Sequence, residues 1–222
     1  MDVRLFFIEE GVVMGTPSGN GADGAHDTIE TQSGDRTDAA RTQPNDQLDA
    51  YIAQARALGF SQVVEIPADS LVCQLEIRKL CNPDACPFYA TSWICPPGCG
   101  ELSELAAGLK SYRRALLLEY VTENVDTSDI DRMRELDRAH CDLILKIMET
   151  VRVTYPDALA LTTGHCNRCA HCTYPDAPCR RPNEKQGALS AYGIGVKELC
   201  DTAGIPFSFA PDKLYSMGVI LV

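Results

Sequence analysis

From residue 45 onward, apolar side chains recur with the periods of packed secondary structure. Leu48, Tyr51, Ile52, Ala55 and Leu58 lie on one helical face, with Asn45 read as the N-cap and Gly59 as the stop. Ser61 to Ile66 reads as a short strand, whereas Ala68 to Leu80 fits helix and strand equally and receives no assignment. Glu101 to Tyr112 reads as a helix, and Ala115-Leu116-Leu117-Leu118-Glu119-Tyr120-Val121 is apolar enough for a buried strand. Ser128 and Asp131 form a capping-box pattern ahead of a stripe of Ile130, Met133, Leu136, His140, Ile144, Ile147 and Val151, which predicts a long helix to about Val153. Ala158 to Thr162 reads as a strand, Ala188 to Ala203 as a helix stopped by Gly204, and Tyr215 to Val222 as a terminal strand. Parallel neighbours need crossover connections, so strands separated by helices predict an α/β fold. The expectation is a small, mostly parallel sheet with packed helices and two cysteine-rich metal-binding loops that begin near element ends.

Residues 15–42 lack this patterning. They are rich in Gly, Asp, Ser and Thr and carry almost no large apolar side chain, so they bury too little surface to offset the entropy of ordering. The predicted organisation is a disordered N-terminal tail over 1–44 and a cysteine-rich metal-binding domain over 45–222. The first fifteen residues fit either a loose strand or an upstream start codon chosen in place of one near Met14.

Composition narrows the function. The chain of 222 residues is 45% hydrophobic and 23% charged, enough for a substantial core, and its formal net charge of −11 argues against a grip on nucleic acid or an anionic membrane surface. A redox partner protein or a small molecule is the expected partner. No apolar run approaches the roughly 20 residues of a membrane span, and the apolar stretch at the N-terminus is too short for a signal sequence. A soluble cytoplasmic protein is therefore expected. In a reducing compartment, eleven cysteines point to metal binding or redox chemistry rather than structural disulfides.

The cysteines fall into two groups. Cys166, Cys169 and Cys172 are separated by two-residue gaps, as in the bacterial ferredoxin run, and Cys179 follows after six more residues. The fourth position departs from that run, because Cys179 precedes Arg180, Arg181 and Pro182. The first group, Cys81, Cys86, Cys95 and Cys99, has wider gaps stiffened by Pro83, Pro87, Pro96 and Pro97, with Phe88, Tyr89 and Trp93 available to keep water from a cofactor. Iron–sulfur chemistry, one or two clusters of the 4Fe-4S type, is preferred; zinc is the alternative, since four thiolates also make a tetrahedral site. Cys141, in mid-helix, reads as a packing residue, and Cys73 and Cys200 are balanced between packing and ligation.

The stretches Arg78-Lys-Leu-Cys81, Cys86-Pro-Phe-Tyr89 and Trp93-Ile-Cys95-Pro-Pro closely resemble the predicted metal-binding family catalogued as domain of unknown function 2284. So do Cys166, Cys169, Cys172-Thr-Tyr-Pro175, Pro178-Cys179-Arg180, Ala191-Tyr-Gly-Ile-Gly-Val196 and Leu199-Cys200. The resemblance runs from about Leu48 to the C-terminus and implies ligand roles for Cys81, Cys86, Cys95, Cys166, Cys169, Cys172 and Cys179. Cys99 stands where the family usually has an apolar residue, which leaves Cys200 as another choice for the eighth ligand. Two clusters of four ligands, one cluster shared between the loops, and one cluster plus a zinc ion are all open. The family implies metal and no particular reaction.

Other residues have a functional and a plain reading. His165 and His171 either couple protons and donate hydrogen bonds near sulfur or are exposed loop residues; His140 reads as a satisfied core residue and His26 lies in the tail. Arg180 and Arg181 either offset cluster charge, hold an anionic substrate, or make surface salt bridges. The glycines of Ala191-Tyr-Gly-Ile-Gly-Val lack the full nucleotide-binding pattern and read as a packing device. Lys213 and Tyr215 are within sequence reach of a pocket at the sheet edge. The leading functional expectation is an electron carrier or accessory to a redox enzyme. A redox enzyme with an open iron site on the first loop, and a zinc-stabilised interaction module, are the alternatives.

Overall fold

The continuous apolar run that follows Arg113 becomes the second strand of a five-stranded sheet in a computed structural model that describes residues 45–208 and 210–222, with side chains from Leu48 onward. The tail assigned to 1–44, with its loose strand, its choice of start at Met14 and His26, lies outside the described residues. So does the capping role read for the Asn45 side chain. The strands are β1 (Gln62–Pro67), β2 (Arg114–Glu123), β3 (Leu159–Thr162), β4 (Gly187–Ala188) and β5 (Lys213–Leu221), in spatial order β1-β2-β5-β3-β4. The helices are α1 (Asn45–Ala57), α2 (Leu75–Lys79), α3 (Leu102–Leu109), α4 (Ile130–Thr154) and α5 (Val196–Ala203).

The sheet is mixed and mostly antiparallel, which overturns the expectation of a mostly parallel one. β1 pairs with β2, β2 with β5, and β5 with β3, all antiparallel, and only β3 and β4 pair in parallel. The reason lies in the last strand. β2 and β3 do run in the same direction and are joined across helix α4, but the C-terminal strand β5 inserts between them, with Tyr120 opposite Ser216 on one side and Ala160 opposite Ile220 on the other. Alternation of strand and helix in sequence therefore gives a split βαβ unit whose parallel strands are not neighbours.

Both faces of the sheet are covered, so alternate residues of β2 enter different cores. Leu116 and Leu118 pack with Leu48, Tyr51 and Ala55 of α1 and with Ile144, Ile147, Met148 and Val151 of α4. Ala115 and Leu117 face the other way, toward Leu109, Leu189, Leu199 and Ile205. A strand buried on both sides has no polar face, which is why its sequence reads as an unbroken apolar run. Truncating Leu116 or Leu117, both fully buried, would cost about 2–5 kcal/mol through lost burial and the cavity left behind.

Three local expectations change. The helix predicted from a capping box at Ser128 is capped one residue later, where Asp129 Oδ1 accepts a hydrogen bond from the Arg132 amide at 3.0 Å. The stretch 188–203 is not one helix; a 3-10 turn at Ser190–Tyr192 ends at Gly193, and α5 begins only at Val196. Gly193 has φ +67° and lies against Gln74, whose amide donates to the Gly193 carbonyl at 2.7 Å. A Cβ there would fall 2.5 Å from the Gln74 carbonyl oxygen, so glycine is required at 193 by conformation and by space. The unassigned stretch 68–80 holds a 3-10 turn at Ala68–Ser70 and the short helix α2.

His140 lies in the core between α4 and the sheet, 1% exposed, with its ring edge-to-face on Phe60. Its two nitrogens have no hydrogen-bond partner among the described residues, so it is buried but not satisfied. Burial holds its pKa down to about 4, because the charged imidazolium is poorly solvated there. Below pH 6.5 the unfolded chain takes up a proton that the folded chain refuses, so this residue makes stability fall as pH drops from 6.5 toward 4. In urea unfolding, the parent is expected to lose roughly 2 kcal/mol more than the His140→Leu variant between pH 7 and pH 5. Equal losses would show that His140 does not titrate differently on folding.

Candidate metal centre

The first cysteine loop connects α2 to α3. Asn82 organises its start, accepting through Oδ1 from the amides of Asp84 and Ala85 at 2.9 and 3.0 Å, while the Cys86 amide donates to the Asn82 carbonyl at 2.9 Å. This tight turn brings Cys86 back toward Cys81. Farther on, the Cys99 amide donates to the Cys95 carbonyl at 3.1 Å, a single helical turn that sets those two side chains on one face. Cys86 and Cys95 are buried and Cys81 and Cys99 half-buried.

The four thiols lie within electrostatic reach of one another. Burial pushes the Cys95 thiol up to about 11, and charge on Cys86, Cys81 or Cys99 would push it the same way, while the Ser92 hydroxyl pulls it down. Burial likewise raises Cys81, with Cys86 and Cys99 adding to the rise and Ser190 and Arg78 opposing it. Cys99, the uncertain member of the sequence pattern, thus stands with Cys81, Cys86 and Cys95.

Arg78 was quoted in the family resemblance without a role, and the structure gives it one. Its guanidinium donates to the Cys99 Sγ at 3.2 Å, to the Gly100 carbonyl at 2.7 Å, and to the carbonyl of Ala191. One side chain therefore ties the loop to the 3-10 turn beyond β4 and places a positive charge on a cysteine sulfur.

The second loop leaves the end of β3 and returns at β4. Its six-residue gap folds back on itself: the Ala177 amide donates to the Thr173 carbonyl, Thr173 Oγ1 donates to the Pro178 carbonyl, both at 2.9 Å, and the Arg180 guanidinium donates to the carbonyl of His171. Cys179 is returned to the neighbourhood of the first three. Cys166 is half-buried and its thiol raised by burial, with Cys172, Cys179 and Cys169 all close enough to raise it further and the Arg168 amide lowering it. Cys172 is exposed, and its Sγ accepts from the Tyr174 amide at 3.5 Å.

The two loops are docked on each other. Phe88 of the first stacks on His165 of the second, with ring centroids 3.7 Å apart and planes within 5°. Trp93 meets Tyr174 edge-to-face at 5.0 Å, and its indole Nε1 donates to the Ala177 carbonyl at 3.1 Å. Gly98 lets the backbones approach, since a Cβ there would lie 2.7 Å from both the Tyr174 ring and the Ser92 carbonyl oxygen. Ile94, Cys95, Ala188 and Ala191 form a small apolar core between them, with Phe88, Cys99 and Cys166 packed against it. Of the aromatic residues expected to shield a cofactor, Phe88 and Trp93 join the two loops.

Other predicted residues are placed elsewhere. Cys200, 2% exposed, packs in the core beneath the sheet with Leu199 and Ile205, and its charged neighbours are Glu119, Asp201 and Lys197; the structure brings it to neither set. Cys73 packs against the same core. Cys141 is buried on α4 and pushed up to about 12 by burial and by Asp137, as a packing thiol. His165 Nδ1 lies 3.9 Å from Asp137 Oδ2, but burial lowers the histidine and raises Asp137 to about 6, so both are driven toward neutrality rather than into an ion pair. His171 is exposed. Arg181 pairs with Glu184 at 3.0 Å, and Lys213 pairs with Glu123 at 2.6 Å rather than reaching into a pocket.

Two sets of four neighbouring thiols offer the kind of donor that metal-binding proteins use. The chain belongs to the family described as predicted metal-binding protein (DUF2284), whose model matches residues 64–222. No curated protein and no solved structure matches the chain. Among the described residues no group of three or more His, Cys, Asp or Glu side chains closes around a point as a single metal ion requires, and no helix is long and apolar enough to cross a membrane.

Trp93 is the chain's one tryptophan, so its fluorescence reports on the docking of the loops. Gly98→Val is expected to push the loops apart, shift the emission to the red and cost about 1–3 kcal/mol in thermal or urea unfolding. Unchanged emission would mean that the indole is not held at this contact.

Proposed function

We propose that the protein is an iron–sulfur protein with two 4Fe-4S clusters, one on Cys81, Cys86, Cys95 and Cys99 and one on Cys166, Cys169, Cys172 and Cys179. Its role on this reading is to carry electrons, or to serve as accessory to a redox enzyme, exchanging them with a redox partner protein or a small molecule. The observation that carries the reading is the division of eight cysteines into two neighbouring sets of four that share one apolar wall. An all-thiolate shell suits electron transfer. Each cluster, when bound, supplies one-electron chemistry at a potential set by burial and by hydrogen bonds to sulfur.

The chain's own residues supply those controls. Arg78 donates to the Cys99 sulfur and the Tyr174 amide to the Cys172 sulfur, and both favour the more negative, reduced state. Phe88 and Trp93 exclude water from the junction of the sets. Cys99 beside the other three favours a closed site over an open iron acting on substrate. Zinc on either set would need its thiolates drawn in to about 2.3 Å from one ion. All eleven cysteines are free thiols, in keeping with a reducing, cytoplasmic setting.

Anaerobically purified protein is expected to contain about eight iron and eight acid-labile sulfide per chain, with a brown absorption that dithionite bleaches. Cys99→Ser and Cys166→Ser are each expected to reduce the content to about four while leaving the other set loaded. Zinc without sulfide would overturn the reading.

A further inference from the structure

A cavity of about 460 Å³ opens at the second cysteine set, between that loop, residues 91–94 of the first loop and the first turns of α4. Cys166, Cys169, Cys172 and Cys179 contribute to its wall. So do Arg134 and Arg138 from α4, Arg168, Arg180 and Arg181 from the loop, and Lys185 just after it. Six of the chain's 20 lysines and arginines thus face one hollow in a protein of net charge −11, and no aspartate or glutamate lines it. Such a concentration opposes the charge balance of the whole molecule, and mutual repulsion makes it costly unless something negative sits among them.

Internal pairing accounts for half of that charge. Arg134 is held by Asp131 at 3.2 Å, Arg168 by Asp142 at 2.5 Å and Arg181 by Glu184 at 3.0 Å. Arg180 bonds only the neutral carbonyl of His171, and Arg138 and Lys185 have no carboxylate partner among the described residues. Three cations are therefore left facing the cavity without a counter-charge. Guanidinium forks match the paired oxygens of carboxylates and phosphates, and the three unpaired cations line the same hollow as the thiols.

We propose that this cavity is a binding site for a small oxyanionic molecule, carrying phosphate or carboxylate groups, that Arg138, Arg180 and Lys185 hold beside the second cysteine set. The site rests on the cavity and its cations and not on which metal the thiols take. The competing role for these cations is to offset the charge of metal-bound thiolates, and the two roles separate experimentally.

Isothermal titration of the full-length, metal-loaded protein with pyrophosphate, and separately with citrate, is the test. One equivalent of at least one probe is expected to bind, with affinity that weakens as salt rises. Arg138→Glu and Lys185→Glu, both at exposed positions, are expected to weaken it roughly tenfold or more each, while Lys110→Glu outside the cavity leaves it unchanged. Tighter pyrophosphate binding assigns the site to phosphate compounds, and tighter citrate binding to polycarboxylates. Metal and sulfide are assayed on the same samples. Absence of binding for both probes at millimolar concentration, binding indifferent to Arg138 and Lys185, or variants that lose their metal in step with the anion would each overturn the proposal. Zinc in place of iron would overturn the electron-transfer reading and leave this site standing.

Discussion

The docking of the two cysteine loops is the contact on which the rest of the site depends. Neither loop carries regular structure beyond isolated turns, so neither holds eight sulfur positions by backbone hydrogen bonds alone. What holds them is mutual burial: Phe88 flat on His165, Trp93 against Tyr174, and the apolar group of Ile94, Cys95, Ala188 and Ala191 between. The sheet makes this docking possible by returning the second loop at β4, where Leu161 pairs with Gly187 and Thr162 with Ala188. Arg78 then reaches from the end of α2 to the Ala191 carbonyl just beyond that short strand. The two loops, β4 and the following turn are one unit held by a few side chains.

Much of the framework was legible in the sequence because it follows local rules. The doubly covered strand β2 and the long helix α4 appear as an apolar run and a helical stripe, and the cysteine spacing marked both loops. What escaped was non-local. β5 is the last strand, and nothing in its composition says that it slips between β2 and β3 rather than adding at an edge. The stretch 188–203 is rich in helix formers but carries Gly193 and Gly195, and Gly193, with φ +67°, meets Gln74 across more than a hundred residues at the point where the helix is broken. Phe88 read as a shield for a cofactor and His165 as a proton-coupling or exposed loop residue, and neither reading contains their stack, which exists only when the loops meet.

Cys99 and Cys200 show the same limit within the site. From spacing and resemblance either could stand as the eighth thiol. The structure separates them by burial partner: Cys99 accepts from Arg78 beside the other thiols, while Cys200 is enclosed by Leu199, Ile205 and the strands below. A thiol in an apolar core behaves as a small hydrophobe, whereas the Cys99 sulfur accepts a hydrogen bond from a charged donor. Residue type is shared and environment differs, which is why position in the chain did not decide between them.

The burial that orders the thiols also makes them reluctant anions. Cys95 is pushed up to about 11 and Cys81 and Cys166 are raised, so at neutral pH these groups are protonated until a cation compensates them. Metal uptake must therefore expel protons, and the free energy of loading becomes free energy of holding the loops together. The two sets are not equal in this respect. The first has two buried cysteines and the second has the exposed Cys172, open to the side where the arginines gather. In a two-cluster protein that asymmetry makes the first set the sheltered one and the second the set that faces outside groups. The two sets also meet more directly, since Cys99 of the first and Cys166 of the second pack against the same apolar group.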